Sequence, residues 1–182
     1  MTNSFLSKHI GTIAVGSGLI AASIYVLMVN VTLAHIEAVS GQIPFDMRPS
    51  GYGPIEAEAL LDALGVDGRG YYLSHQIALD TIYPAMLALT MVAAICWLGR
   101  YTPNRKLFRF CVAFSAVGAL FDYIENLGIV AMIWSWPAVS VPLVYAASSA
   151  TIIKSVSTTL AVMLVLLMGL NWARLSKADL HP

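Results

Sequence analysis

Asp80, Asp122, Glu125 and Lys154 stand inside stretches that are otherwise apolar enough to cross a bilayer. An ionisable group at membrane depth costs about 2.5–3.5 kcal/mol on insertion scales, so such residues face a bundle interior or a wet cavity and mark function by default. These side chains can handle protons or hold a cationic group, with Lys154 balancing charge. Asp122 and Glu125 are three residues apart and share one helical face, close enough to share a proton. A carboxyl that keeps its proton is suited to general acid chemistry. Three carboxylates against one ammonium leave an excess of negative charge. Protonation, a cationic His35 or His75, or a bound cation must relieve it.

Other polar residues fall on the same faces. Gln76, Asp80, Tyr83 and Pro84 line one face of their helix, and Thr151, Lys154, Ser155 and Thr158 line one face of another. Asn126 flanks Glu125. Asn30 and His35 close the first apolar stretch, and His75 lies just before Asp80. Asn30, His35, His75, Gln76, Tyr83, Asn126, Thr151 and Thr158 are thus the candidates for orienting a ligand, around Asp80, Asp122, Glu125 and Lys154 as the reactive set. His35, His75, Asp80 and Glu125 also have the donor chemistry for zinc or another divalent ion, although no HExxH-type spacing supports it. Pro84 cannot donate to the carbonyl of Asp80, which leaves that oxygen for a cation, a water or a ligand hydroxyl.

The elements that must position these residues are membrane helices. The chain has 182 residues, 58% hydrophobic and 11% charged, with zero net charge and mean hydropathy +0.75. A soluble domain carries about 25% charged residues. The expected fold is all-α: a single domain over residues 1–182, with four spans at about 10–35, 72–98, 107–133 and 142–172. The N-terminal run is read as a retained first span rather than a cleaved signal. Nothing in the charge pattern suits nucleic acid. Cys96 and Cys111 are read as reduced thiols, and no cofactor is indicated.

Basic residues set the expected orientation. Arg100, Arg105, Lys106 and Arg109 lie between the second and third spans, Lys8 precedes the first, and Arg174 and Lys177 end the chain. The stretch 36–71 carries Arg48 and Arg69 alone. By the positive-inside rule both termini are cytoplasmic, and Trp134, Trp136, Tyr71 and Tyr72 form an outer aromatic belt, with Trp97, Tyr101 and Trp172 at the inner ends. All four charged residues then lie in the outer half or near the midplane, roughly 12–18 Å deep at 1.5 Å per residue. The loop 36–71 begins with the turn-rich run SGQIPFDMRPSGYGP. It continues as a short amphipathic helix at about 54–64, with Leu60, Leu61 and Leu64 on one face and Gly65 as its C-cap. A loop of this kind is either a lid or a stabilising surface helix.

The runs FDMRPSGYGPIEAEALLDALGVDGRGYYL, LDTIYP and FDYIENLG resemble a group of uncharacterised bacterial four-span membrane proteins. The resemblance covers residues 45–130. It implies the four-span fold and brings no activity; the expected location is the bacterial cytoplasmic membrane. A weaker likeness is to the EXPERA-type four-helix proteins, which include sterol isomerases and sterol-binding receptors and hold acids in an intramembrane pocket. Their histidine- and tryptophan-containing pattern is absent here, so no role is carried over.

The expected function is a pocket, open to the outer side, that binds or transforms a lipid-like or amphipathic small molecule. Two alternatives stand beside it: an accessory subunit of a membrane complex, in which the charges fix helix register, and a proton or cation transporter. The apolar inner halves of the spans speak against the transporter.

Overall fold

The structure, a computed structural model, describes residues 4–99 and 105–178; Arg100 and Tyr101 lie outside them. It is 91% helical, with no strand among the described residues. The helices are α1 (Ser4–Leu27), α2 (Leu33–Ser40), α3 (Pro54–Tyr71), α4 (Ile77–Leu98), α5 (Arg105–Ser135) and α6 (Val141–Ala178). A π-helical turn, Met28–Thr32, joins α1 to α2, and another, Tyr72–Gln76, joins α3 to α4. Four helical rods are therefore long and apolar enough to span a membrane: Lys8–Ser40, Pro54–Leu98, Arg105–Ser135 and Val141–Arg174.

The first rod runs past His35 to Ser40, and the second starts well before Tyr72. Hydropathy marks where a helix leaves an apolar medium, not where its backbone bonds stop. The first stop is Gly41, in the left-handed region at φ 65°, whose N–H donates to the Glu37 carbonyl at 2.8 Å. This is the usual glycine ending of a helix. Pro54 opens α3, with the Gly53 N–H donating to the Glu56 carboxylate at 3.0 Å. Gly65, at φ 60° and ψ −169°, breaks the helical backbone inside α3. The segment before it is the expected amphipathic helix. It seats Ala57, Leu60, Leu61 and Leu64 in the core, beside Phe45, Tyr72, Ile129 and Met132.

Small residues decide which helices pack closely. α5 and α6 make the most extensive contact. A Cβ on Gly128 would lie 2.6 Å from the Ala147 Cβ, and one on Gly118 would lie 2.7 Å from the Thr158 hydroxyl. α1 packs on α4, where the Thr90 hydroxyl donates to that of Ser17 at 2.9 Å. α4 packs on α5, but α1 and α6 make no extended contact. The bundle is thus open along one side. At the end carrying the termini, Ile95, Leu98, Cys111 and Met168 form a separate apolar cluster, and Cys96 and Cys111 carry no disulfide.

The aromatic residues split. Trp134 is 77% exposed, as an interfacial residue would be. Trp136 is partly buried, with the Arg69 guanidinium 5.4 Å from its ring centre. Tyr72, expected in the belt, is fully buried instead. Its ring packs against Phe45 and its hydroxyl is held inside the fold.

Candidate functional site

The charged residues meet near the loop end of the bundle, around a cavity of about 270 Å³. α4 contributes Asp80, Tyr83 and Leu87; α5 contributes Asp122; α6 contributes Lys154, Ser155, Thr158 and Thr159. Tyr25 of α1, with Met28 and Leu33, forms the wall across the open side, and Asp46, Met47 and Pro49 of the loop close the end. The cavity is lined from both α1 and α6, which make no extended contact with each other.

Lys154 is the hub of one half. Its ammonium donates to Asp122 Oδ1 at 3.1 Å and pairs with Glu125 Oε2. The other oxygen of Glu125 accepts a hydrogen bond from the Thr151 hydroxyl at 2.6 Å. The i,i+3 spacing on α5 thus brings both acids to one ammonium on α6 rather than to each other. Glu125 is fully buried, behind Lys154. A pair at this depth depends on both charges being present, since removing one leaves the other uncompensated.

Asp80 stands apart. It is 2% exposed, and its Oδ2 accepts no hydrogen bond from a protein group. Its main-chain carbonyl, freed by Pro84, is not left for a ligand as expected. The Asn126 side chain donates to it at 2.9 Å. Asn126 is therefore a splint for the proline-interrupted turn rather than a group aimed into the cavity, which it does not line.

Asp46 was not among the candidates, yet it lines the cavity and its side chain is hydrogen-bonded to that of Asp80. It is held by the Tyr72 hydroxyl and, at 3.4 Å, by the Gln76 amide. Gln76 in turn accepts from the Thr32 hydroxyl at 2.5 Å. Both π-helical turns are thus tied together beneath the loop, and π-turns of this kind recur at functional sites. An acid in a turn-rich run reads as solvent-facing, and the one hint was its aromatic neighbour Phe45, which is fully buried and draws the turn inward. Tyr52 was also missed. Its N–H donates to the Ser148 hydroxyl at 2.8 Å, and its ring packs on Phe45. Burial first, and then the negative charge of Glu125, push the Tyr52 phenol up, which keeps it neutral.

Three candidates lie elsewhere. His35 and His75 are exposed and both contact the Tyr71 ring, each with its centre 4.2 Å from the tyrosine's, His75 stacked on it and His35 tilted by 46°. Asn30 is exposed and turns back to the Val26 carbonyl at 2.8 Å. The helical phase puts all three on the outer faces of the first two rods, Asn30 and His75 in the π-helical turns and His35 in α2. His35 and His75 therefore do not join Asp80 and Glu125, and among the described residues no three His, Cys, Asp or Glu side chains come together as metal ligands. Tyr83 and Thr158 do line the cavity, Tyr83 with its ring 5.9 Å from that of Tyr25. Thr151 and Gln76 act on it through Glu125 and Asp46. No protein-family model, curated protein or solved structure matches the chain.

Proposed function

We propose that this protein binds an amphipathic, lipid-like small molecule in the cavity between α1 and α6. The observation that carries the reading is the cavity's mixed lining: charged groups from the loop, α4, α5 and α6, together with the apolar side chains of Met28, Leu33 and Leu87. A molecule with a polar head and a hydrocarbon body matches both surfaces, and the open side gives it a route from the bilayer. Ligand sites of this general form, an apolar pocket with a few convergent polar groups, are the common kind. Asp80, Asp122 and Glu125 would handle protons or a cationic group, and Lys154 would balance their charge. The loop would act as the lid. The reading includes the bacterial cytoplasmic membrane with both termini inside, supported by Lys8, Arg105, Lys106, Arg109 and Arg174 against Arg48 and Arg69.

Transport fits less well. Towards the termini the cavity adjoins a seam of about 10 Å³ between Pro84, Leu87, Met91, Ala119 and Ala161, at the lower limit for one water. The test is extraction in native lipid discs, with mass spectrometry of the small molecules that copurify. The protein should enrich one amphiphile over the bulk lipid, and Leu87→Trp, which fills the cavity, should lose it. Equal enrichment with both proteins, or none with either, rejects the pocket.

A further inference from the structure

We infer that the Asp46–Asp80 side of the cavity recognises a protonated amine, the head group of an amphiphile whose hydrocarbon part lies along Met28, Leu33 and Leu87. The inference rests on the binding reading above and assigns the chemical class of the head group.

The two halves of the site differ in what the protein itself supplies. Lys154 serves Asp122 and Glu125, and Thr151 takes the remaining Glu125 oxygen. Across the cavity, Asp80 forms no ion pair, and its Oδ2 has no protein donor. Asp46 adds a second carboxylate, fixed in place by Tyr72 and Gln76. The basic residues nearest in the loop and α3 point elsewhere: Arg48 folds back on the Ile43 carbonyl, and Arg69 reaches the Leu61 carbonyl. Two carboxylates facing one buried space cannot both stay ionised cheaply: they share a proton, as the side-chain hydrogen bond between Asp46 and Asp80 allows, or a positive group joins them, for which the cavity has room. An alkylammonium brings one charge and three donors, enough to serve both acids at once. Calcium takes six to eight oxygens, and among the described residues no third carboxylate joins Asp46 and Asp80 in a metal-ligand group. The apolar wall and the open side between α1 and α6 then require that the cation carry a chain.

The test uses the full chain in discs of uncharged lipid. The probes are photoreactive dodecyl chains ending in an amine, an alcohol or a carboxylate. Crosslinks are mapped by mass spectrometry. The amine probe should label the cavity wall. Asp80→Asn should lower that labelling by about tenfold or more, the usual scale for losing one partner of a buried charge pair. Asp46→Asn, a change in the loop rather than in a span, should lower it in the same direction and guards against a misfolded Asp80 variant. The alcohol probe should label weakly and be indifferent to both changes. If amine and alcohol label the cavity equally, or neither Asn variant alters the amine labelling, the head-group assignment falls while the pocket stands. If no probe labels the cavity, the pocket reading falls with it. Loss of amine labelling to millimolar calcium chloride at constant ionic strength would mean an inorganic cation site and overturn the assignment.

Discussion

At the loop end of the bundle, side chains from the loop and from all four spans are tied by directed polar contacts, from Thr32–Gln76–Asp46–Tyr72 to Lys154 with its two acids. At the end carrying the termini, Ile95, Leu98, Cys111 and Met168 meet by shape, with a Cys111–Met168 sulfur contact at 3.7 Å. Lipid tails are as apolar as leucine, so apolar contact between membrane helices has little driving force of its own and relies on close fit. Polar contacts are directional, and a slip of one residue breaks them. The comparison separates two tasks: the apolar end lets helices adhere, and the polar end fixes which register they adhere in and leaves a cavity there.

The largest effect that tests this division is loss of the hub. Lys154→Met leaves Asp122 and Glu125 buried without their cation, and breaking such a pair costs about 3–5 kcal/mol. Thermal unfolding in mild detergent should show a clear drop, and adding Asp122→Asn should recover part of it. If neither Asp122→Asn nor Glu125→Gln recovers any stability, the ammonium is not held by α5, and the polar end does not set the register.

A smaller effect compares the two ends directly by the same change in both. Gly128→Ala puts a methyl 2.6 Å from the Ala147 Cβ, so α5 and α6 must part. Overpacking of this sort costs about 1–3 kcal/mol. Gly169→Ala, at the other end of α6, meets nothing closer than Leu98 at 3.9 Å. There the gain in helix propensity, up to about 1 kcal/mol, should make the change neutral or stabilising. Equal losses at the two glycines, read by detergent unfolding midpoints, would mean that close packing is uniform along the bundle.

Much of this fold was legible in the sequence because bilayer physics leaves few choices. Four apolar runs can only be four helices, and charged residues inside them can only point inward. That reasoning brought Asp80, Asp122 and Lys154 to one cavity, with Glu125 behind the lysine. It failed where membrane depth stops constraining the chain. His35, His75 and Asn30 lie near span ends, where a polar side chain can turn outward at little cost, and all three do. Asp46 and Tyr52 lie in the loop, whose inward turn depends on Phe45 and on the docking of α3, contacts distant in sequence. Helical phase is exact enough to say which residues share a face, but it does not say which acid a lysine on another helix will choose.

The smallest effect concerns a compensation between α4 and α5, and it is best read as a coupling. Pro84 removes the N–H that would serve the Asp80 carbonyl, and Asn126 supplies a donor to it at 2.9 Å. The Asn126 side-chain oxygen is itself buried without a protein partner, so the residue brings a cost along with its hydrogen bond. Asn126→Leu removes both, and the net loss should be modest, about 0.5–1.5 kcal/mol. The informative measurement is the double-mutant cycle with Pro84→Ala. In that background the residue at position 84 can donate within the helix, so Asn126→Leu should lose less than it does beside proline, with a coupling of about 1 kcal/mol. If the two changes are strictly additive in detergent unfolding, the amide does not stand in for the missing N–H. Asn126 would then owe its place to packing on α4 alone, and the polar end of the bundle would be less dependent on directed contacts than the comparison holds.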